Sequence, residues 1–122
     1  MAIIEQIEPG VHRFSPIQIN MGRGGNSSKL YYLLVVGQHL DSFSPEQSCH
    51  LSWRSDGDYY RRYEERKADM ARLAFSKKVF ADAHLWRERR FLQFLTCLSD
   101  ELQAEITKSG LRVPKHYRTR EV

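Results

Sequence analysis

The sequence has few cysteines and no long hydrophobic segment. Its two cysteines, Cys49 and Cys97, are far apart and form no CxxC motif, so we expect neither a disulfide framework nor a cysteine-based zinc site. The longest apolar run is Leu30–Val36, which is far shorter than the roughly 20 residues of a membrane-spanning helix. The N-terminus has no basic segment followed by an apolar one. This predicts a cytoplasmic protein without a signal peptide and without a membrane partner.

Recognisable catalytic and metal-binding motifs are also missing. The glycine-rich loop 22–29 is not a P-loop, because Lys29 precedes a predicted strand instead of a helix. No zinc-helix motif, nucleophile elbow or calcium loop accompanies the histidines, which are His12, His39, His50, His84 and His116. We therefore predict a non-enzymatic protein without a cofactor or metal. A small hydrolase or nuclease with a histidine base is the enzymatic alternative.

Residues 1–57 have the pattern of a strand-rich region. Alternating or continuous apolar residues predict strands at 3–7, 11–14, 30–36 and 50–54. The unbroken apolar character of residues 30–36 predicts a central strand that is covered on both faces. Ser44 and Pro45 have the order of a helix start, which predicts a short helical turn.

Residues 58–110 have the composition of helices. No glycine or proline lies between Asp58 and Gly110, and Ala, Leu, Arg, Glu and Lys are frequent. We predict a pair of long helices that divides near residues 81–83 and ends at Gly110, with a single long helix as the alternative. At about 100° per residue the second helix directs one arc of side chains to the core. These are Phe91, Leu92, Leu95, Leu98, Leu102 and Ile106.

Strands followed by helices indicate one α+β domain over residues 1–122. We expect a mostly antiparallel sheet from residues 1–57, packed against the C-terminal pair of long helices. Residues 111–122 form a basic tail, for which two interpretations stay open. The tail is either an arm that binds DNA or RNA, or an extended segment that packs Leu111, Val113 and Tyr117 on the domain.

Positive charge is concentrated in the second half of the chain. The net charge is +4, and residues 58–122 carry 15 basic and 10 acidic side chains, whereas residues 1–57 carry 4 and 5. Arginine outnumbers lysine by 13 to 6, and arginine and tryptophan are enriched at binding hot spots. We therefore predict that the helical half docks on another protein, as in an adaptor, inhibitor or regulator. The predicted contact residues are Trp86, Arg87, Arg89, Arg90, Arg61 and Arg62.

Nucleic-acid binding is the alternative function. Basic and aromatic residues alternate along the predicted helices, as they do on nucleic-acid surfaces. The loop 22–29 and the tail add cations that can contact phosphates or an acidic partner, namely Arg23, Lys29, Lys115, Arg118 and Arg120. A homodimer is a further interpretation, since Phe75 and Val79 face away from the predicted core and a second copy can cover them.

Overall fold

The computed structural model describes residues 2–20, 22, 25, 31–50, 52–62, 70–92 and 95–122. Its helices are α1 (Ala2–Ile7), α2 (Lys77–Phe80) and α3 (Asp100–Lys108), and a 3₁₀ turn spans Pro45–Gln47. Its strands are β1 (Arg13–Ile17), β2 (Tyr31–Val35), β3 (His39–Leu40), β4 (Trp53–Asp56), β5 (Tyr59–Arg62), β6 (Ala74–Phe75), β7 (Leu85–Glu88), β8 (Thr96–Leu98) and β9 (Arg120–Glu121). None of the helices in these segments is long and apolar enough to cross a membrane.

A three-stranded sheet in the order β3-β7-β8 separates two hydrophobic cores. β7 pairs parallel with β3 and antiparallel with β8. Successive side chains of a strand point to opposite faces, so Leu85 and Trp86 of β7 lie on different sides of the sheet. Leu85 belongs to the aliphatic core, whose buried members are Val36, Leu85 and Leu102. Trp86 stacks on Phe80, which packs against the aromatic core. The buried members of the aromatic core are Phe43, Met70, Leu73, Phe75, Phe91 and Leu95.

Helices α1 and α3 cover the aliphatic core. Ile3, Ile4 and Ile7 of α1 pack against it, because this spacing places all three on one helical face. α3 is capped by Ser99, whose hydroxyl oxygen accepts a hydrogen bond of 3.0 Å from the N–H of Leu102. Leu102 itself is fully buried. The cap therefore sets where α3 begins and holds its main apolar residue against the sheet.

Phe43 lies at the centre of the aromatic core. Its ring centroid lies 4.8 Å from that of Phe91 and 5.0 Å from that of Tyr60, in the edge-on geometry that aromatic pairs favour. Tyr60 and Trp53 belong to the β4–β5 hairpin, so this core anchors the hairpin. At the other side β9 pairs parallel with β6, and the N–H of Val122 donates to the carbonyl of Phe75.

The predicted pair of long helices is wrong for the described part of residues 58–110. That part contains β5, β6, β7 and β8 with the short helix α2, and α3 begins only at Asp100. The α+β fold class with a sheet packed on two long helices is therefore replaced by small sheets with short helices. Phe91 and Leu95 do lie in one core and Leu102 in the other. Helix-favouring composition is a weak preference that tertiary pairing overrides.

Two predictions for the first half of the chain are also wrong. Residues 3–7 lie in helix α1 and do not form a strand. β2 is a strand as predicted, but among the described residues it pairs with β1 alone. Leu33 of β2 is 55% exposed. β2 is therefore not a central strand covered on both faces, because apolar content alone does not reveal how many neighbours a strand has.

Two predictions that rest on short sequence signals are confirmed, the helical turn after Ser44 and the helix end at Gly110. The helical turn follows Ser44 and occupies Pro45–Gln47. Gly110 follows α3 with a φ of +78°, the left-handed conformation that glycine adopts at helix C-termini. These two predictions hold because each feature depends on the backbone conformation of only a few neighbouring residues.

Candidate protein-binding surface

The outward face of the β4–β5 hairpin carries two arginines and a tyrosine. Directly opposite residues of an antiparallel pair share a face, and the register pairs Arg54 with Arg61 and Asp56 with Tyr59. Tyr60, on the other face, packs against the aromatic core. The strand period therefore turns Arg54, Tyr59 and Arg61 away from that core, and Tyr59 is 48% exposed.

Arg90 lies beside this hairpin in a fixed orientation. Its guanidinium carbon lies 4.8 Å from the ring centroid of Tyr60, and its Nε donates a hydrogen bond of 2.9 Å to the carbonyl oxygen of Asp58. Its Nη1 lies 3.7 Å from Oδ2 of Asp41, while 39% of the side chain stays exposed. A guanidinium that is already held loses little side-chain entropy when a partner binds it. We call Arg54, Tyr59 and Arg61 the arginine face. Arg90 borders it at the turn of the hairpin, where it bonds to Asp58, while its guanidinium lies over Tyr60 on the other side.

The positive charge of the arginine face is only partly balanced by its own domain. Nε of Arg61 lies 3.4 Å from Oδ2 of Asp56. Within the described segments Arg54 has no ion-pair partner. Two like charges directly opposite each other on a sheet are destabilising, so folding does not favour the Arg54–Arg61 pair.

Trp86, a predicted contact residue, is buried. It is 4% exposed, and its ring stacks on that of Phe80 at a centroid distance of 5.0 Å. Its Nε1 donates a hydrogen bond of 3.0 Å to Oε1 of Glu88. The indole therefore contributes to the fold and offers nothing to a partner. Helical periodicity placed this side chain opposite the predicted core, whereas the strand β7 turns it inward.

The other predicted residues of this region lie in β5, in β7 and directly after β7. Arg87 is half-buried on the face of β7 opposite to Trp86. Arg89 is exposed, and its backbone N–H donates to the carbonyl of Leu40. The backbone of Arg62 pairs opposite Trp53, and its side chain lies outside the described part of the structure. Of the predicted set, the structure brings together Arg61 and Arg90 beside the hairpin.

The loop and the start of the tail give no second basic surface in the described residues. Arg23 and Lys29 lie outside the described residues. The ammonium nitrogen of Lys115 lies 5.6 Å from the ring centroid of Tyr117, and Tyr117 packs against the aromatic core. This part of the tail therefore follows the interpretation in which it packs on the domain.

The two other predicted contact residues of the tail, Arg118 and Arg120, bond to their own chain. The guanidinium of Arg118 donates two hydrogen bonds, of 3.1 and 3.3 Å, to the carboxylate of Asp100 at the start of α3. Nη1 of Arg120 donates a hydrogen bond of 3.0 Å to the carbonyl oxygen of Gln47. Arg118 and Arg120 thus fasten the tail to the fold.

Glu88 is a buried carboxylate that holds the fold. Its Oε2 accepts hydrogen bonds from the backbone N–H groups of Ser42 and Phe43, and its Oε1 accepts from the Ser42 hydroxyl. Burial raises the pKa of Glu88, and the hydrogen bonds from Ser42, Trp86 and Phe43 offset only part of that rise. Burial, and then the charge of Glu88, also raise the pKa of the Cys97 thiol, which disfavours the thiolate form. These groups are structural.

The β1–β2 ribbon has an exposed apolar face that the sequence interpretation missed. Alternate residues of the two strands share this face, and those from β1 include the polar residues Arg13 and Ser15. Leu34 lies on the opposite face and packs against the aliphatic core. The polar residues of β1 were the signal that this side of the ribbon meets solvent. The exposed apolar side chains on it are Ile17, Tyr31, Leu33 and Val35.

Comparison with known proteins places the chain in one family. The model of the immunity protein family Imm11 matches residues 1–119 of the 122. No curated protein and no solved structure gives a significant match. The matched range includes both the arginine face and the ribbon. Because the match extends over almost the whole sequence, the chain belongs to the immunity protein family Imm11.

Proposed function

We propose that this protein is an inhibitor that binds a protein toxin and blocks its activity without catalysis. The family match over residues 1–119 carries the proposal, since immunity against a toxin requires recognition of that toxin. The geometry agrees with this function. Tyr59 and the arginines beside it are exposed without a role in either core, whereas the buried carboxylate of Glu88 is occupied by the fold.

The arginine face is the proposed contact surface. Tyrosine and arginine are among the residue types that contribute most to binding energy when they are desolvated at an interface. Tyr59 supplies an exposed ring, and Arg90, at the turn that borders this face, supplies a guanidinium that is already oriented by Tyr60.

The toxin surface that fits this face carries carboxylates. A carboxylate can accept two parallel hydrogen bonds from one guanidinium, and here it would also separate the like charges of Arg54 and Arg61. The protein as a whole has a net charge of +4. Electrostatic steering therefore favours association with an acidic surface, and the association rate should fall as the salt concentration rises.

A stoichiometric titration tests the function. Each of a panel of protein toxins is expressed in a host whose growth it arrests, with and without this protein, and the toxin that it neutralises is purified. Added protein should abolish the toxin's activity at an equimolar ratio and form a stable complex in size-exclusion chromatography. Neutralisation by a small fraction of one equivalent, or neutralisation of no toxin in the panel, contradicts the proposal.

Variants of the arginine face locate the contact. Tyr59→Ala and Arg61→Glu should each weaken toxin binding by about tenfold or more, because hot-spot truncations cost over 1 kcal/mol. Leu111→Ala and Arg112→Glu are the matched controls. They change an exposed apolar and an exposed basic residue of the tail and should leave the affinity within about twofold. Isothermal titration calorimetry provides the measurement, and equal effects of test and control variants would refute this surface.

A further inference from the structure

The outer edge of β2 has no strand paired to it in the part of the chain that the structure describes. In the described residues β2 pairs with β1 and with no other strand. Its five residues, Tyr31–Val35, contain no charge, no proline and no glycine. Natural proteins commonly protect such edges with lysine, proline or a bulge, because an unpaired edge is a template for another strand. β1, by contrast, contains both Arg13 and Pro16.

The position of Pro16 indicates which backbone groups of β2 face outward. Proline has no N–H to donate and is accommodated where its nitrogen points away from the neighbouring strand. Pro16 lies opposite Tyr32, so these two residues form a non-hydrogen-bonded pair. The backbone N–H and C=O groups of Tyr32 then point away from β1. By the strand period, the N–H and C=O groups of Tyr32 and Leu34 then point to the outer edge of β2.

We infer that the outer edge of β2 pairs antiparallel with β2 of a second copy of this protein. The twofold axis passes at Leu33, so that Tyr32 of each copy lies opposite Leu34 of the other. Each Tyr32–Leu34 pair exchanges both of its backbone hydrogen bonds. The two ribbons join into one four-stranded sheet in the order β1-β2-β2-β1.

The sequence of β2 fits its own copy. Antiparallel pairing about Leu33 brings the two Leu33 side chains together and places Tyr31 opposite Val35, which are apolar or aromatic cross-strand pairs that stabilise a sheet. Neither strand carries a charge that would repel the other. The pairing also covers Leu33, which is 55% exposed in one copy. A β2 edge therefore satisfies the requirement of a twofold interface, that one patch complements itself.

This self-association is independent of the proposed toxin binding. It uses the ribbon, whereas the arginine face lies on the β4–β5 hairpin. The contact is limited to one short strand, so we expect a weak dimer with a Kd between about 10 µM and 1 mM. Sedimentation of the purified full chain should show a monomer–dimer equilibrium over this range. A monomer at every concentration up to about 1 mM overturns the inference.

Two lysine substitutions on the same face locate the interface. Leu33→Lys places two like charges beside each other at the twofold axis, and it should raise the dimer Kd at least about tenfold. Ile17→Lys is the matched control, because Ile17 is 42% exposed on the same face but belongs to β1. This variant should dimerise like the wild type. A dimer that survives Leu33→Lys, or that is lost equally in both variants, overturns pairing through the β2 edge.

A second pair of variants separates the backbone from the side chain. Tyr32→Pro removes the outward N–H, whereas Tyr32→Thr removes the same ring and keeps that N–H. We expect Tyr32→Pro to be monomeric and Tyr32→Thr to dimerise within about threefold of the wild type. Circular dichroism and a urea melt establish that both variants are folded. Dimerisation of a folded Tyr32→Pro variant would show that the dimer does not form through the backbone of the β2 edge.

Discussion

Gly37 is the residue whose identity the described structure restricts most. A Cβ at this position would overlap the carbonyl oxygen of Val11 and lie 2.9 Å from its carbonyl carbon. The N–H of Gly37 donates a hydrogen bond of 2.9 Å to Nδ1 of His12. Because Nδ1 accepts, Nε2 of neutral His12 carries the proton and donates it to Oε1 of Glu8, 2.9 Å away. One glycine thus permits the contact that sets the orientation of this buried imidazole.

We predict that Gly37→Ala destabilises the protein by at least about 3 kcal/mol, because the backbone of residue 11 must move to make room. Gly110→Ala is the control, since Gly110 has a positive φ and nothing near its missing Cβ. That substitution should cost only about 1 kcal/mol. Urea unfolding measures both values, and equal losses would contradict the close approach at Gly37.

At the scale of elements, Glu8 joins the end of α1 to the central sheet. Its Oε1 accepts from the backbone N–H of Leu85, and its Oε2 accepts from the N–H of His84 and from Nε2 of Gln38. Burial raises the pKa of Glu8, but the hydrogen bonds from His12, His84 and Gln38 outweigh burial, and the pKa lies below the usual 4.5. The ionised carboxylate therefore stabilises the contact between α1 and β7.

This lowered pKa predicts a loss of stability in acid. A group with a lower pKa in the folded state contributes its full stability above the unfolded value, and the contribution is lost as the pH falls through the folded value. Glu88 has a raised pKa and acts in the opposite direction above pH 4.5, so variants are needed to separate the two. Glu8→Gln should cost about 2 kcal/mol at neutral pH.

The pH dependence of the Glu8→Gln difference is the measurement. The gap in unfolding free energy between wild type and variant should be constant above about pH 5 and should narrow as the pH falls towards about 3. Glu105→Gln is the control, because Glu105 is exposed on α3, and it should show a gap near zero throughout. A Glu8→Gln gap that is independent of pH would contradict the assigned role of the carboxylate.

At the scale of the whole molecule, β7 makes the two cores depend on each other. Leu85 contributes to the aliphatic core, and the next residue, Trp86, lies on the side of the aromatic core. β7 cannot leave one core without leaving the other. The described fold should therefore unfold as one unit even though it contains two separate apolar clusters.

Two probes on opposite sides of the sheet test this cooperativity. Tryptophan fluorescence reports the side of Trp53 and Trp86, and far-ultraviolet circular dichroism reports the helices that cover the aliphatic core. We predict coincident urea transitions. Leu102→Ala, a cavity in the aliphatic core, should shift both midpoints by the equivalent of about 3 kcal/mol, and the exposed control Leu111→Ala should shift neither. A shift seen by circular dichroism alone would show two independent units.

The partner prediction is confirmed at the level of the family. The sequence predicted a protein that acts by binding another protein, and membership of an immunity protein family supports this coarser statement. The excess of arginine that motivated the prediction is partly used within the domain, because Arg61 and Arg118 face Asp56 and Asp100. The proposal of which arginines contact a partner rests on the exposure of individual side chains and not on the number of arginines.

The sequence alone determined the features that depend on nearby residues. Proline after Ser44 fixes the backbone of a short helical turn, and a glycine after α3 adopts a conformation that other residues avoid. The sequence also determined that no apolar run reaches the length of a membrane span. Each of these features is decided within a few residues of chain, so no distant partner can change it.

Long-range packing determines which side of each element is covered. Trp86 is buried and Leu33 is exposed, the reverse of what the helical and central-strand interpretations required. The physical reason is that burial depends on which elements pair across the chain, as β3 does with β7 and β6 with β9. Depending on those long-range contacts, an apolar residue is buried in a core or exposed at a strand edge. Local conformational preferences of less than about 1 kcal/mol per residue are too weak to determine which of the two occurs.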